Sequence, residues 1–372
     1  MKRITSNRQA LGMFIFLGLV FVTAGCRQRS QQIRKHEQMI GVKVYAIEQA
    51  PAALFQYWDE LGINTVFAAP SLLNTEFRMS ARAHQIETFI IVPIFFDPDT
   101  LHLNPDLYAV TKDGNTAVEE WVEFVCPSRK EYRERKIETI RTLIRELDPD
   151  GLSLDFIRHF VFWEKVYPDR QPENIPNTCF DSQCLQKFQM DLNLSIPDSL
   201  SQVPEIAAWI RDNYLAEWTE WKCGLITGMI REIVDAAREI NPGIKINVHA
   251  VPWRQDDFGN AIRNVVGQDF SKIAPHVDML SPMTYAHMVK QKPEWVNSVV
   301  EDLAGMVKCR IIPSIQVNEA YLTEPLTVAE FEKSLIAALK KPSSGVIFWS
   351  WEQLVENPEK MEILRFVLKN NR

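Results

Sequence analysis

Three features are missing from this 372-residue chain. No stretch gathers lysine and arginine into a stripe; the formal net charge is −7 and the two signs are interspersed. A nucleic-acid backbone is therefore not an expected partner. No glycine-rich turn of the dinucleotide or P-loop type follows the first apolar run, so no nucleotide cofactor is expected, nor any other. The apolar run near the N-terminus, Leu11 to Val22, is shorter than the roughly 20 residues a membrane-spanning helix needs.

That N-terminal run has another use. Lys2, Arg3 and Arg8 precede it, and Thr23-Ala24-Gly25-Cys26 follows it. A basic start, a short apolar centre and small residues before a cut describe a secretory signal. A cysteine directly after Ala-Gly resembles a bacterial lipobox, with Thr23 where an aliphatic residue is usual. The expected organisation is a signal peptide over residues 1–25, a lipidated Cys26 with a polar tether over 26–39, and one domain over 40–372. This places the protein in the bacterial cell envelope, periplasmic or surface-exposed, with the membrane as partner through its lipid. Nothing in the pattern specifies an oligomeric state.

Beyond the tether, eight short apolar runs alternate with amphipathic stretches. The runs are Gly41–Ile47, Thr65–Ala69, Thr88–Phe96, Gly151–Phe156, Lys245–Val251, Val277–Tyr285, Arg310–Val317 and Gly345–Trp351. Helical periodicity marks Ala52–Leu61, Glu76–Ile86, Arg129–Leu147, Ile206–Ile240, Glu294–Val307, Val328–Lys340 and Glu359–Leu368. Repeated strand-helix units imply parallel strands, and eight of them fit an α/β (β/α)8 TIM barrel. A doubly wound open sheet is the alternative. Long connections follow the third and fourth runs, at 97–128 and 158–204, and would emerge where this fold keeps its active site.

Alternate residues of a barrel strand face the lumen. In the fourth run Leu152, Leu154 and Phe156 suit the helix layer, which leaves Gly151, Ser153 and Asp155 inward. The same reasoning turns Asn247 and His249 inward from the fifth run, and Ser281, Met283 and Tyr285 from the sixth. The seventh contributes Ser314, Gln316 and Asn318, and the eighth Ile347, Trp349 and Trp351. Polar groups at one end of a lumen are costly unless paired or used, which points to a small polar ligand.

The segment Asp150-Gly151-Leu152-Ser153-Leu154-Asp155-Phe156-Ile157-Arg158 resembles the fourth strand of glycoside-hydrolase barrels. It is most similar to uncharacterised glycosidase-like barrels, and it resembles alpha-amylases, where the strand-ending Asp is the nucleophile. It is related to the family 18 pattern, but the catalytic Glu of that family would fall at Ile157. Val277 to Tyr285, Gly345 to Trp351, Gly267-Gln268-Asp269 and Trp121 through Ser128 add further similarity in the same order along the chain.

The resemblance implies a carbohydrate substrate and a pair of carboxyl groups. Asp155 is the main catalytic candidate, and Glu352 and Glu319 are candidates for its partner. Arg158, His249, Asn247, Tyr285, Met283, Gln316, Trp349, Trp351 and Asp97 are the expected substrate-binding residues. A carbohydrate-binding barrel without catalysis is the second reading. The loop Thr178 to Leu185 resembles a Cys-x-Cys-x-x-Cys loop that helps bind zinc in some barrel glycosidases, with Asp181 at the middle position. Cys126 is a possible further ligand, but a Cys179–Cys184 disulfide or free thiols are the expectation here, and no metal.

Overall fold

The computed structural model describes residues 38–370. The signal, Cys26 and most of the tether lie outside the described residues. Nine parallel strands form one curled sheet in the order β10-β11-β1-β2-β3-β6-β7-β8-β9. These are β1 (Met39–Val44), β2 (Thr65–Ala68), β3 (Glu87–Pro93), β6 (Gly151–Asp155), β7 (Lys245–Ala250), β8 (Met279–Pro282), β9 (Arg310–Ile311), β10 (Ser314–Gln316) and β11 (Gly345–Trp349). A small antiparallel hairpin, β4 (Val118–Glu119) and β5 (Val122–Glu123), lies apart in the connection after β3.

Helices cover the outer face: α1 (Pro51–Leu61), α2 (Thr75–His84), α4 (Lys130–Leu147), α6 (Val203–Ile240), α9 (Trp295–Met306), α10 (Val328–Leu339) and α12 (Pro358–Asn370). Their ends follow local chemistry. Pro51 opens α1, where a missing N–H costs nothing, and Gly62 closes it at φ 84°. Thr327 and Glu330 cap α10 reciprocally. No described helix is long and apolar enough to cross a membrane.

The two faces of the sheet separate by parity. Val42, Val44, Val66, Ile90, Leu152, Leu154, Ile246, Val248, Leu280, Ile315 and Phe348 join the large core under the helices. Met39, Phe67, Phe89, Ile91, Met279, Ile312 and Ile347 form a second cluster on the inner face. Residues from both early and late strands meet there, so the curled sheet encloses its own small core. Gly151 makes this possible, because a Cβ there would lie 2.2 Å from the Phe89 ring. Gly41 plays the same part beneath Phe67, at 2.8 Å.

The seventh apolar run is divided. Arg310–Ile311 pairs with β8, and Ser314–Gln316 pairs with β11. Pro313 lies between the halves and has no N–H to offer a neighbour. The eighth run ends early at Trp349, and Trp351 instead opens the short helix α11 (Trp351–Val355). The connection after β3 contains α3 (Pro98–Leu103) and the hairpin, and the one after β6 contains α5 (Ser182–Leu192). Two short helices, α7 (Ala261–Asn264) and α8 (Phe270–Ile273), follow β7.

Candidate active site

Strand register places the polar residues. Ser153 is level with Asn247, and His249 with Ser281. Their side chains form a chain above the inner apolar cluster: Ser281 donates to Asn247 at 2.8 Å, Asn247 donates to Ser153 at 2.9 Å, and Ser153 lies 2.8 Å from Nε2 of His249. All four are buried. Burial, reinforced by the charge of Lys43, pushes His249 down to about 3. Its imidazole is therefore neutral near pH 7.

Above this floor is a cavity of about 120 Å³ at the C-terminal ends of the strands. Asp155, Arg158, Met283, Tyr285 and Trp349 line it, as do Lys43, Tyr45, Trp121, Trp163, Glu164 and Tyr321. Asp155 is the last residue of β6 and accepts the Phe156 N–H at 2.8 Å. Burial alone would raise its carboxyl. His249, Lys43, the Phe156 N–H and Arg158 outweigh that and hold it below the usual carboxylate range. Since His249 is neutral near pH 7, the positive charge acting there comes from Lys43 and Arg158.

Lys43 reaches the cavity from β1 and donates to the Tyr285 hydroxyl at 3.2 Å. Burial pushes it down to about 8, against the pull of Asp155. The Arg158 guanidinium lies 4.7 Å over the Phe124 ring and donates to the Val161 carbonyl at 2.7 Å. Glu164 behaves oppositely to Asp155. Burial pushes its carboxyl up to about 7, Arg158 opposes the rise, and the Asp155 charge adds to it. Its Oε2 is buried and has no hydrogen-bond partner among the described residues.

Aromatic side chains complete the walls. Tyr285 and Trp349 stack with centroids 4.7 Å apart. Trp121 and Tyr321 are partly exposed at the rim, and Trp121 Nε1 donates to the Tyr321 hydroxyl at 3.1 Å. The Tyr45 ring is also at the rim, but its hydroxyl end is desolvated and faces Asp155, so it stays protonated well above the usual phenol range.

The structure thus brings together Asp155, Arg158, Met283, Tyr285 and Trp349, with His249 and Asn247 in the floor. It places five other expected site residues elsewhere. Trp351 packs edge-on against Tyr57 and Trp58 in the helix layer, because the strand has ended and α11 begun. Asp97 caps α3, pairs with Lys136 at 2.8 Å and accepts from Tyr132. Glu319 accepts the Leu326 N–H, outside the cavity. Gln316 is buried and accepts the Met288 N–H at 2.9 Å, holding the cavity wall from behind. Glu352 binds the Tyr45 and Ala46 N–H groups with Oε1, bracing the β1 loop rather than lining the cavity.

Glu164 and Lys43 were not among the expected residues. Lys43 had a visible signal: a cation inside an apolar run, on the same parity as Gly41. Glu164 had none, since it sits in an aperiodic connection.

A separate cluster lies away from this cavity. One ligand atom from each of Cys126, Cys179, Asp181 and Cys184 falls within 4.8 Å of the others. No disulfide forms among the described cysteines, contrary to the Cys179–Cys184 pairing considered above. Burial would raise the Cys126 thiol, but Cys179, Cys184 and Arg129 bring it well below its ordinary value. Three sulfurs and one carboxylate at this spacing fit a tetrahedral zinc ion. Such an ion would tie the Cys126 segment to the start of α5 and supply no reaction chemistry.

No protein-family profile matches the chain, and no curated protein matches it by sequence. Its fold is similar to those of solved glycoside hydrolases. The PgaB (BpsB) glycoside hydrolase domain from Bordetella bronchiseptica superposes with a TM-score of 0.66 at 11% identity, covering 88% of this chain and 98% of that one. Beta-galactosidase from Marinomonas ef1 gives 0.64 at 12% identity, covering 89% and 59%. Gan42B, a GH42 beta-galactosidase, gives 0.62 at 11%, covering 90% and 57%. The chain therefore spans less than two thirds of those two galactosidases. At these identities the likeness shows the fold.

Proposed function

We propose that the protein is a glycoside hydrolase acting on a poly- or oligosaccharide at the bacterial envelope, with Asp155 and Glu164 as its carboxyl pair. The observation that carries this reading is one cavity holding two carboxyls with opposite protonation. Asp155 is kept ionised, and Glu164 retains its proton to about pH 7. Glycoside cleavage asks for that division of roles. Glu164 gives its proton to the leaving oxygen as the glycosidic C–O bond breaks. Asp155 meets the positive charge developing on the ring, as nucleophile or stabiliser. Water then supplies hydroxide to the anomeric carbon, and its proton restores Glu164. Lys43 and Arg158 keep Asp155 charged, and the Trp349 ring, backed by Tyr285, offers a face to sugar C–H groups.

The scaffold in this reading is a complete (β/α)8 barrel. Ile312 donates to Leu280, and Ile347 donates to Pro313, so the divided run is bonded on both sides. The anchor is Cys26, lipidated after removal of residues 1–25.

The test is reducing-end release from a panel of polysaccharides, wild type beside Asp155→Asn and Glu164→Gln. Release by wild type and its loss in both variants is expected. Equal release by all three would remove this carboxyl pair from the reaction. Metabolic labelling with palmitate, absent from Cys26→Ser, tests the anchor.

A further inference from the structure

A second cavity, of about 220 Å³, opens beside the first. Two chain segments line both. After β6, Trp163 and Glu164 face the first cavity, and Val166 and Pro168 the second. After β8, Met283, Tyr285 and Met288 face the first, and Val289 and Gln291 the second. The change of side falls between consecutive residues, Met288 and Val289, so the two spaces adjoin.

The second cavity has one aromatic and one polar side. Trp253 and Phe258 meet at a centroid distance of 5.1 Å and give it an aromatic side. Arg254 grips Asp257 through two nitrogens, at 2.8 and 3.2 Å, and so fixes the polar side. Asp256 beside it is exposed and accepts from no described residue. Trp295 lines the space, is only 8% exposed, and its Nε1–H has no partner among the described residues. A buried N–H left unbonded is costly. A hydroxyl-bearing ligand in this cavity would satisfy it.

We propose that this second cavity is a saccharide subsite, receiving the sugar unit linked to the one held over Asp155. The substrate is then a chain of at least two rings, with hydroxyls of the second ring bonded to Trp295 and Asp256 and its C–H face against Trp253. The inference rests on the glycosidase reading and deepens it.

Calorimetric titration of the full chain tests it with galactose, glucose and N-acetylglucosamine and with their β-1,4-linked trisaccharides. The variants are Trp295→Phe, which removes the N–H together with part of the indole ring, and Asp256→Asn, which changes an exposed side chain and spares the core. For at least one sugar, the trisaccharide is expected to bind about tenfold tighter than the monosaccharide. Each variant is expected to weaken the trisaccharide about threefold to tenfold, as loss of one hydrogen bond implies, with monosaccharide binding unchanged. A trisaccharide no tighter than its monomer would overturn the subsite, as would unaltered trisaccharide binding in both variants. If no sugar of the panel binds, the glycosidase reading falls first and the subsite with it.

Discussion

The hydroxyl of Ser153 lies 2.8 Å from Nε2 of His249, and the same hydroxyl receives a bond from Asn247. One small side chain thus satisfies two buried polar neighbours. Ser153→Ala would leave both without that partner inside the sheet. It is expected to cost about 2–6 kcal/mol, since each of the two stranded groups costs about 1–3 kcal/mol. Thermal or urea unfolding reads this directly, and a cost below 0.5 kcal/mol, roughly the noise of a surface substitution, would mean the floor is not a connected network.

The two carboxyls set a pH profile. In the glycosidase reading Glu164 holds its proton and Asp155 loses its own. Activity should fall as pH rises through about 7, where Glu164 deprotonates. It should fall on the acid side only below the usual carboxylate range, because Asp155 is shifted down. In Glu164→Gln the limb near pH 7 should vanish along with most of the rate. General acid catalysis contributes about 10²- to 10⁴-fold. A variant that keeps the alkaline limb would assign that titration to another group.

Glu164 also leaves a mark on stability. Its folded pKa is above its unfolded value, so the folded state holds the extra proton between about 4.5 and 7. Its contribution is intact below that window and is lost as pH rises through it. Glu164→Gln should therefore gain stability relative to wild type at pH 8 but not at pH 4, by up to about 3 kcal/mol. Equal differences at both pH values would contradict the buried, protonated side chain.

Lys43→Met removes the cation while keeping much of the volume. Asp155 loses one of the charges that hold it down, so the acid limb of the profile should move upward by about one unit. The pH dependence of kcat/KM reports it. An unmoved limb would leave Lys43 as a partner of Tyr285 alone.

The cysteine cluster predicts metal content. Elemental analysis of the purified full chain should find close to one zinc per molecule, and Cys184→Ser should lower it. Protein prepared without chelator and found free of metal would leave the four side chains as a thiol cluster.

Alternation in a strand carried much of this site. Asp155, Asn247, His249 and Trp349 were legible because the apolar residues between them demand the helix layer, which fixes the other parity; Tyr285 reaches the cavity from just past the end of β8. The rule failed where it was carried beyond a strand. Trp351 shares the parity of Trp349, but the chain has already entered a helix, and the indole turns to Trp58. Glu319, Glu352 and Asp97 follow strand ends as well, yet their carboxylates are taken up by nearby backbone or by Lys136. Glu164 was invisible for the opposite reason. Its place depends on how an irregular connection folds back over the strands, and no local period encodes that.

The packing of Phe67 and Phe89 over Gly41 and Gly151 has a consequence for traffic. Those rings seal the end of the sheet opposite Asp155 with hydrocarbon. In the glycosidase reading the cavity is then closed at that end and open on the side of Asp155. In that reading, a cleaved fragment leaves on the side where Trp121 and Tyr321 stand, and its exit competes with entry of its successor.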